Sequence, residues 1–214
     1  MALLDVRNLK TFFYLDKNEY PAVDDISFTL DKGKIMAVIG ESGSGKSVTA
    51  LSIMGLVDSP GKIIGGEIYY NEENLLKKKN KEMQRIRGNE IAMIYQDPMS
   101  TLNPMNKVGN QIGEALIIHK KATKKEVRNI VVGLMKQVGI ADAEKRYDQY
   151  PSQFSGGMRQ RLMIAMAIAC RPKILIADEP TTALDVTIQG EILELLKDLK
   201  DDYNMSIILN THDL

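Results

Sequence analysis

Residues 40–47 read GESGSGKS, and no other stretch constrains the chain as much. They satisfy the phosphate-cradling pattern G-x-x-x-x-G-K-[ST] at every fixed position. The run Ile35-Met36-Ala37-Val38-Ile39 precedes them, apolar, of strand length and free of proline. Residues 48–56 follow as a helix with Ala50, Leu51, Ile53 and Met54 on its apolar side. A chance glycine-rich turn would need neither flank. Glycines let the backbone bend so that successive N–H groups face inward, a nest for an anion. The loop through Gly40, Ser42, Gly43, Ser44 and Gly45, with the helix start at Val48, is therefore expected to hold phosphates by partial positive charge. Lys46 is expected to reach the terminal phosphates, and the Ser47 hydroxyl to take one Mg²⁺ coordination place.

Three more apolar runs share this design. Ile91-Ala92-Met93-Ile94-Tyr95 ends at Gln96, Ile174-Leu175-Ile176-Ala177 ends at Asp178-Glu179-Pro180, and Ile207-Ile208-Leu209 leads through Asn210-Thr211 to His212. Continuous apolar runs suit strands buried on both faces of a parallel sheet. In open α/β sheets the ligand lies beyond the carboxyl ends of the strands, so Lys46, Gln96, Asp178 and His212 are expected on one rim. Asp178 would stand beside Mg²⁺. Glu179, on the other side of the strand, would orient or deprotonate a water for attack on the terminal phosphate. Pro180 then ends the ladder. The Gln96 amide would contact Mg²⁺ and the attacking water, and His212 the terminal phosphate. Singly, each has a plainer reading: capping carboxylates, a turn glutamine, a structural histidine. Their agreement with the loop carries the weight.

Elsewhere, residues 3–30 read as β structure, with Asp31-Lys32-Gly33 as a turn, and Glu67-Ile68-Tyr69-Tyr70 as a short strand after Gly65-Gly66. Together they predict an antiparallel layer. The basic runs 77–87 and 120–128 read as solvated faces or loops. Residues 109–147 turn helical through Ile112, Leu116, Val127, Ile130, Val131, Leu134, Met135 and Val138, and residues 186–200 form another amphipathic helix. Phe154-Ser155-Gly156-Gly157-Met158 opens an apolar helix running to Cys170, with Ser155 as its N-cap. A serine and two glycines there are ordinary capping, but they also make a second helix start suited to an anion.

Composition removes several classes. The 214 residues carry 28 basic and 28 acidic side chains, so no global field favours nucleic acid. Cys170 is the single cysteine, which excludes an internal disulfide framework and fits a reducing compartment. Charges in MALLDVRNLK interrupt what a signal peptide would need as its apolar core. The longest apolar run, residues 162–170, is too short to span a bilayer.

With these parts in order, nearly the whole chain resembles the ATPase subunit of an ATP-binding cassette (ABC) transporter. The resemblance implies an α/β P-loop NTPase fold: a mostly parallel sheet covered by helices, an N-terminal antiparallel β layer, and a helical subdomain inserted over about residues 97–157. It makes residues 40–47 the P-loop, Gln96 the Q-loop glutamine, and Ser155-Gly156-Gly157 the family signature. Asp178 becomes the magnesium aspartate, Glu179 the catalytic glutamate, Asp185 in Thr182-Ala183-Leu184-Asp185 the D-loop aspartate, and His212 the switch histidine. The adenine-stacking aromatic falls on Phe13 or Tyr14. The signature is usually written L-S-G-G-Q; here Phe154 and Met158 replace the outer residues and leave the ATP-contacting core intact.

FSGGMRQR, QDPMSTLNP and GESGSGKS are similar to the dipeptide and oligopeptide importer branch, which nickel importers resemble closely. The implied mechanism is head-to-tail pairing of two such subunits, each ATP lying between one P-loop and the partner's signature helix. Closure would exclude all water but the attacking one. The helical insert and the segment after Gln96 would pass the motion to permease subunits, with an external solute-binding protein acting indirectly. The resemblance also implies a peripheral place on the cytoplasmic face of the membrane. Family members continue past the His212 strand, so the chain reads as one nucleotide-binding domain truncated at Leu214.

Other nucleotide-using classes fit less well. A GTPase would want N-K-x-D, and Asn106-Lys107-Val108-Gly109 lacks the aspartate. A small-molecule kinase needs neither Ser155-Gly156-Gly157 nor Glu179. Soluble ABC proteins of translation or DNA repair carry two cassettes or a long coiled coil, and neither pattern is present. Replacing Lys46 by alanine (Lys46→Ala) should abolish tight ATP binding, measured by equilibrium titration with a fluorescent ATP analogue; retained affinity would overturn the loop assignment.

Overall fold

The computed structural model describes residues 2–16, 18–182 and 184–212, with backbone alone at 99 and 100. Ala183, inside the loop likened to the D-loop, lies outside the described residues. Alternating apolar positions fold the N-terminal segment into an antiparallel pair, β1 (Ala2–Leu15) and β2 (Asn18–Asp31). Leu4, Val6, Leu9, Val23 and Leu30 form its buried side. After the turn at Gly33, β3 (Ile35–Ile39) feeds the glycine-rich loop and α1 (Lys46–Met54). Gly55 closes α1 in the left-handed conformation at φ 61°, and its N–H bonds back to the last turn.

β4 (Gly61–Tyr70) pairs with the free edge of β1, and β5 (Glu73–Asn74) with β4, giving the sheet order β2-β1-β4-β5. α2 (Asn80–Ile86) leads to β6 (Ile91–Ile94). Between β6 and the next strand the chain is helical: α3 (Pro98–Thr101), α4 (Val108–Ile118), α5 (Val127–Gln137), α6 (Ala143–Arg146) and α7 (Gly156–Ile168). Then come β7 (Ile174–Asp178), α8 (Val186–Tyr203) and β8 (Ser206–Thr211). Among the described residues no helix is long and apolar enough to cross a membrane.

The second sheet is parallel throughout, in the order β3-β8-β7-β6. β7 explains why its sequence is continuously apolar. Ile174 and Ile176 join a core with α1, β1 and β4, while Leu175 and Ala177 join a core with α4, α5, α7 and α8. Full burial of each such branched side chain is worth about 1.5–3 kcal/mol.

Burial on both faces does not extend to β3. Its residues alternate, and Ile35 and Ile39 are 45% and 54% exposed. Among the described residues β3 lies at the edge of the parallel sheet, and only its Met36–Val38 face meets a core. β6 likewise stops at Ile94, leaving Tyr95 beyond the ladder.

Two other expectations need correction. The strand at Glu67 begins earlier, at Gly61, and runs through the glycine pair. Gly66 sits at φ 93°, where the β1–β4 register shifts between Arg7 and Lys10. A Cβ there would lie 2.6 Å from Asn8 O and Leu9 Cα, so the glycine marks a bulge under a crossing backbone. Arg87, read as a solvated charge, donates Nε to Met54 O and an η nitrogen to Gly55 O, both at 2.7 Å, satisfying carbonyls at the α1 terminus.

Gly66→Ala combines left-handed strain with a backbone clash. Urea unfolding should show it less stable by about 3 kcal/mol; a shift under about 0.5 kcal/mol would mean the bulge is not constrained as described.

Candidate active site

The loop is fixed at both ends by its neighbours. Gly40 N donates to Thr211 O at 3.4 Å, tying the end of β3 to the tip of β8. Gly45, at φ 90°, caps α1, and a Cβ there would stand 2.2 Å from Ala22 O of β2. Only glycine fits this approach. No side chain caps the helix and no acidic residue sits in its first turn. The first N–H groups of α1 are thus available to an anion rather than to a local carboxylate.

Lys46 follows immediately and is 6% exposed. Its Nζ donates to Gly40 O at 2.6 Å and Glu41 O at 3.0 Å, and lies 3.4 Å from Glu179 Oε1. A buried ammonium requires such partners, since removing one side of a buried pair leaves an uncompensated charge.

Glu179 is the hub. Its Oε2 accepts from Gln96 Nε2 at 2.9 Å and from Thr182 Oγ1 at 3.1 Å, and His212 Nδ1 lies 3.9 Å away. Strand alternation does not set its direction, contrary to the sequence reading. β7 ends at Asp178, and Glu179 turns into the left-handed region at φ 48° while its N–H donates to Asn210 O at 3.0 Å. That conformation costs about 1 kcal/mol in a non-glycine residue, and the contacts around the carboxylate hold it. The turn delivers the carboxylate to Lys46, Gln96 and His212 together.

Asp178, 5% exposed at the tip of β7, accepts from Asn210 Nδ2 at 2.8 Å through Oδ1. Among the described residues no group of three or more His, Cys, Asp or Glu side chains could hold a metal ion. A cation here would rest on the Asp178 carboxylate, the Ser47 hydroxyl, the Gln96 amide oxygen and phosphate oxygens of a bound nucleotide. That all-oxygen set, with few protein carboxylates, fits Mg²⁺.

The remaining candidates gather elsewhere. Ser155 Oγ accepts Met158 N at 3.4 Å and caps α7. A Cβ on Gly157 would lie 3.0 Å from Ile188 Cγ2, and one on Gly156 3.8 Å from Leu184, so the α7 start packs closely on the start of α8. Asp185 Oδ1 accepts Ile188 N at 3.0 Å and caps α8, a structural role the sequence reading did not assign. The segment from Glu179 to Asp185 links this cluster to the hub. The Phe13 ring lies against Gly61, where an added Cβ would stand 2.8 Å from its Cε1, while Lys62 Nζ stands 5.6 Å from the centre of the Tyr14 ring. These contacts tie neither ring to the phosphate loop.

Two site residues went unassigned in the sequence. Thr182 left no signal there. Asn210 did: it is a polar residue inside an apolar strand, in register with Asp178.

A family model described as "ABC transporter" matches residues 23–182. The chain belongs to the ABC transporter family. It is 54% identical over all of its 214 residues to the oligopeptide transport ATP-binding protein AppD of Bacillus subtilis (strain 168). It is 51% identical over the same span to the dipeptide transport ATP-binding protein DppD of Escherichia coli (strain K12). The chain covers 65% of the length of each of these relatives. Among solved structures it is similar to the ATP-binding cassette MJ0796 in a dimeric post-hydrolysis state bound to ADP and Pi. There the TM-score is 0.87 at 26% identity, covering 98% of this chain and 88% of that one. It is also similar to cbiO1 from Clostridium perfringens, described as part of the ABC transporter complex cbiONQ, with TM-score 0.80, 26% identity, and 99% and 79% of the two chains covered. The two sheets and their helices form the P-loop NTPase fold shared by these ABC cassettes.

Proposed function

We propose that this chain binds ATP with Mg²⁺ and hydrolyses it as the ATPase subunit of a membrane importer for peptides. One observation carries the reading: Lys46, Gln96 and His212, from three strand ends, converge on the Glu179 carboxylate at a fourth, beside the phosphate loop. A bound terminal phosphate would draw Lys46 away from the Gly40 and Glu41 carbonyls and from Glu179. The released Glu179 carboxylate, steered by Gln96 and Thr182, then accepts a proton from the attacking water. His212, on the exposed side of the rim, donates to the terminal phosphate. Ser47, Gln96 and Asp178 would hold Mg²⁺, which when bound would neutralise charge on the transferring phosphoryl group. Stacking of adenine on Phe13 or Tyr14 completes the nucleotide site.

Ser155, Gly156 and Gly157 open α7 away from this hub, and the first two are exposed, which supports their meeting a nucleotide held by a second cassette in a head-to-tail pair. The dimeric form of MJ0796 supports the same reading. Residues 97–157, the inserted helical subdomain, border a groove of about 420 Å³ between β6, α4 and α7. Tyr95, Ile118, Met163 and Met166 line it, and Ile118 is 65% exposed. An apolar groove next to Gln96 is suited to a permease segment, which supports a peripheral position on the cytoplasmic face. An external solute-binding protein then acts on this chain only indirectly, by way of the permease. The names of the AppD and DppD relatives support peptides as cargo.

Glu179→Gln should keep ATP binding and lower turnover by at least about a hundredfold, the scale of a lost general base; unchanged phosphate release in a steady-state assay removes Glu179 from that role. Ile118→Asp should leave ATP binding intact while abolishing co-purification with the permease subunits; undiminished co-purification moves the docking surface elsewhere. In the reconstituted complex, ATP-driven uptake of labelled dipeptides and oligopeptides is expected, and uptake of Ni²⁺ in their place reassigns the cargo.

A further inference from the structure

Asn210 stands where a buried strand calls for an apolar side chain. It is 2% exposed, in register with Asp178 across the β7–β8 pair, and flanked by the apolar Leu209 and by Thr211. Paired residues of neighbouring strands carry their side chains on the same face. The amide therefore meets the carboxylate side on: Asn210 Nδ2 donates to Asp178 Oδ1 at 2.8 Å. No donor among the described residues reaches the other oxygen, Oδ2. The backbone of the same residue acts separately, its carbonyl accepting the Glu179 N–H at 3.0 Å. One position at the tip of β8 thus grips two successive carboxylates, the first by its side chain and the second by its main chain.

A hydrogen bond to one carboxylate oxygen fixes the rotation of the carboxylate plane, and bonds to ionised groups are the strong ones. With Oδ1 held, Oδ2 is aimed in a single direction. Groups of this kind, which orient a metal ligand without touching the metal, set affinity through the geometry they impose. We propose that Asn210 is a positioning residue for Mg²⁺: its amide locks the Asp178 carboxylate so that Oδ2 faces the cation on the nucleotide. The inference rests on the site being an ATP–Mg²⁺ site, and its failure can be told apart from failure of that reading.

The test uses Mn²⁺ as a spectroscopically visible stand-in. Mn²⁺ is titrated, with detection by electron paramagnetic resonance, into the native chain and into Asn210→Leu and Asn210→Ala, each saturated with a non-hydrolysable ATP analogue. Affinity for that analogue is measured in parallel in EDTA. Asn210→Leu keeps the branched shape and Asn210→Ala keeps the risk of overpacking low; both leave the backbone bond to Glu179 in place. Mn²⁺ affinity is expected to fall about tenfold in both, the scale of one lost hydrogen bond to a charged group, with metal-free nucleotide affinity unchanged. Unchanged Mn²⁺ affinity in a folded variant overturns the proposal. So does an equal loss of metal-free nucleotide affinity, or failure of both variants to fold, since either makes the amide a support of the fold. Loss of nucleotide binding by the native chain would instead overturn the ATP reading.

Discussion

A lysine at 6% exposure must be neutralised where it lies, and that requirement organises this molecule. Lys46 finds two carbonyls of its own loop and the Glu179 carboxylate, and Glu179 in turn takes Gln96 and Thr182. The ion pair spans β3 and α1 on one side and β7 on the other, with β8 between them in the sheet. Such a contact forms only if all these strands run the same way and end at the same level. The parallel register Ile39 to Thr211 and Asp178 to Asn210 supplies that level.

The sheet holds its register because a slip would invert both cores at once. β7 sends Ile174 and Ile176 to the α1 side and Leu175 and Ala177 to the helical side. Shifting it by one residue would change which core each meets and carry Asp178 away from Asn210. Apolar packing thereby fixes the position of polar groups it never touches. Gly45 adds a steric lock, since its contact with Ala22 O sets the loop against the antiparallel layer.

Much of this was legible in the chain. The four apolar runs ending in polar residues mark the parallel strands, and the flanks of the glycine-rich loop mark β3 and α1, because both signals are local. The misread features depend on neighbours distant in sequence. Ile35 and Ile39 look like core residues until the sheet order leaves β3 at an edge. Gly65-Gly66 reads as punctuation until β1 crosses it and makes a bulge. Arg87 reads as a surface charge until the end of α1 arrives with its carbonyls. The direction of Glu179 does not follow strand alternation, because β7 ends at Asp178 and the chain turns left-handed at Glu179.

Glu179 and Asp185 lie six residues apart in the chain, and the bonds at the two ends serve different neighbours. Thr182 bonds Glu179 at one end of this segment, while Asp185 caps α8 at the other, where Gly157 packs at close range against Ile188. A Cβ at Gly157 would already crowd Ile188, so the α7 start follows α8 with little slack. The hub and the α7 start are therefore joined in two steps, the chain from Glu179 to Asp185 and the close approach of Gly157 to Ile188.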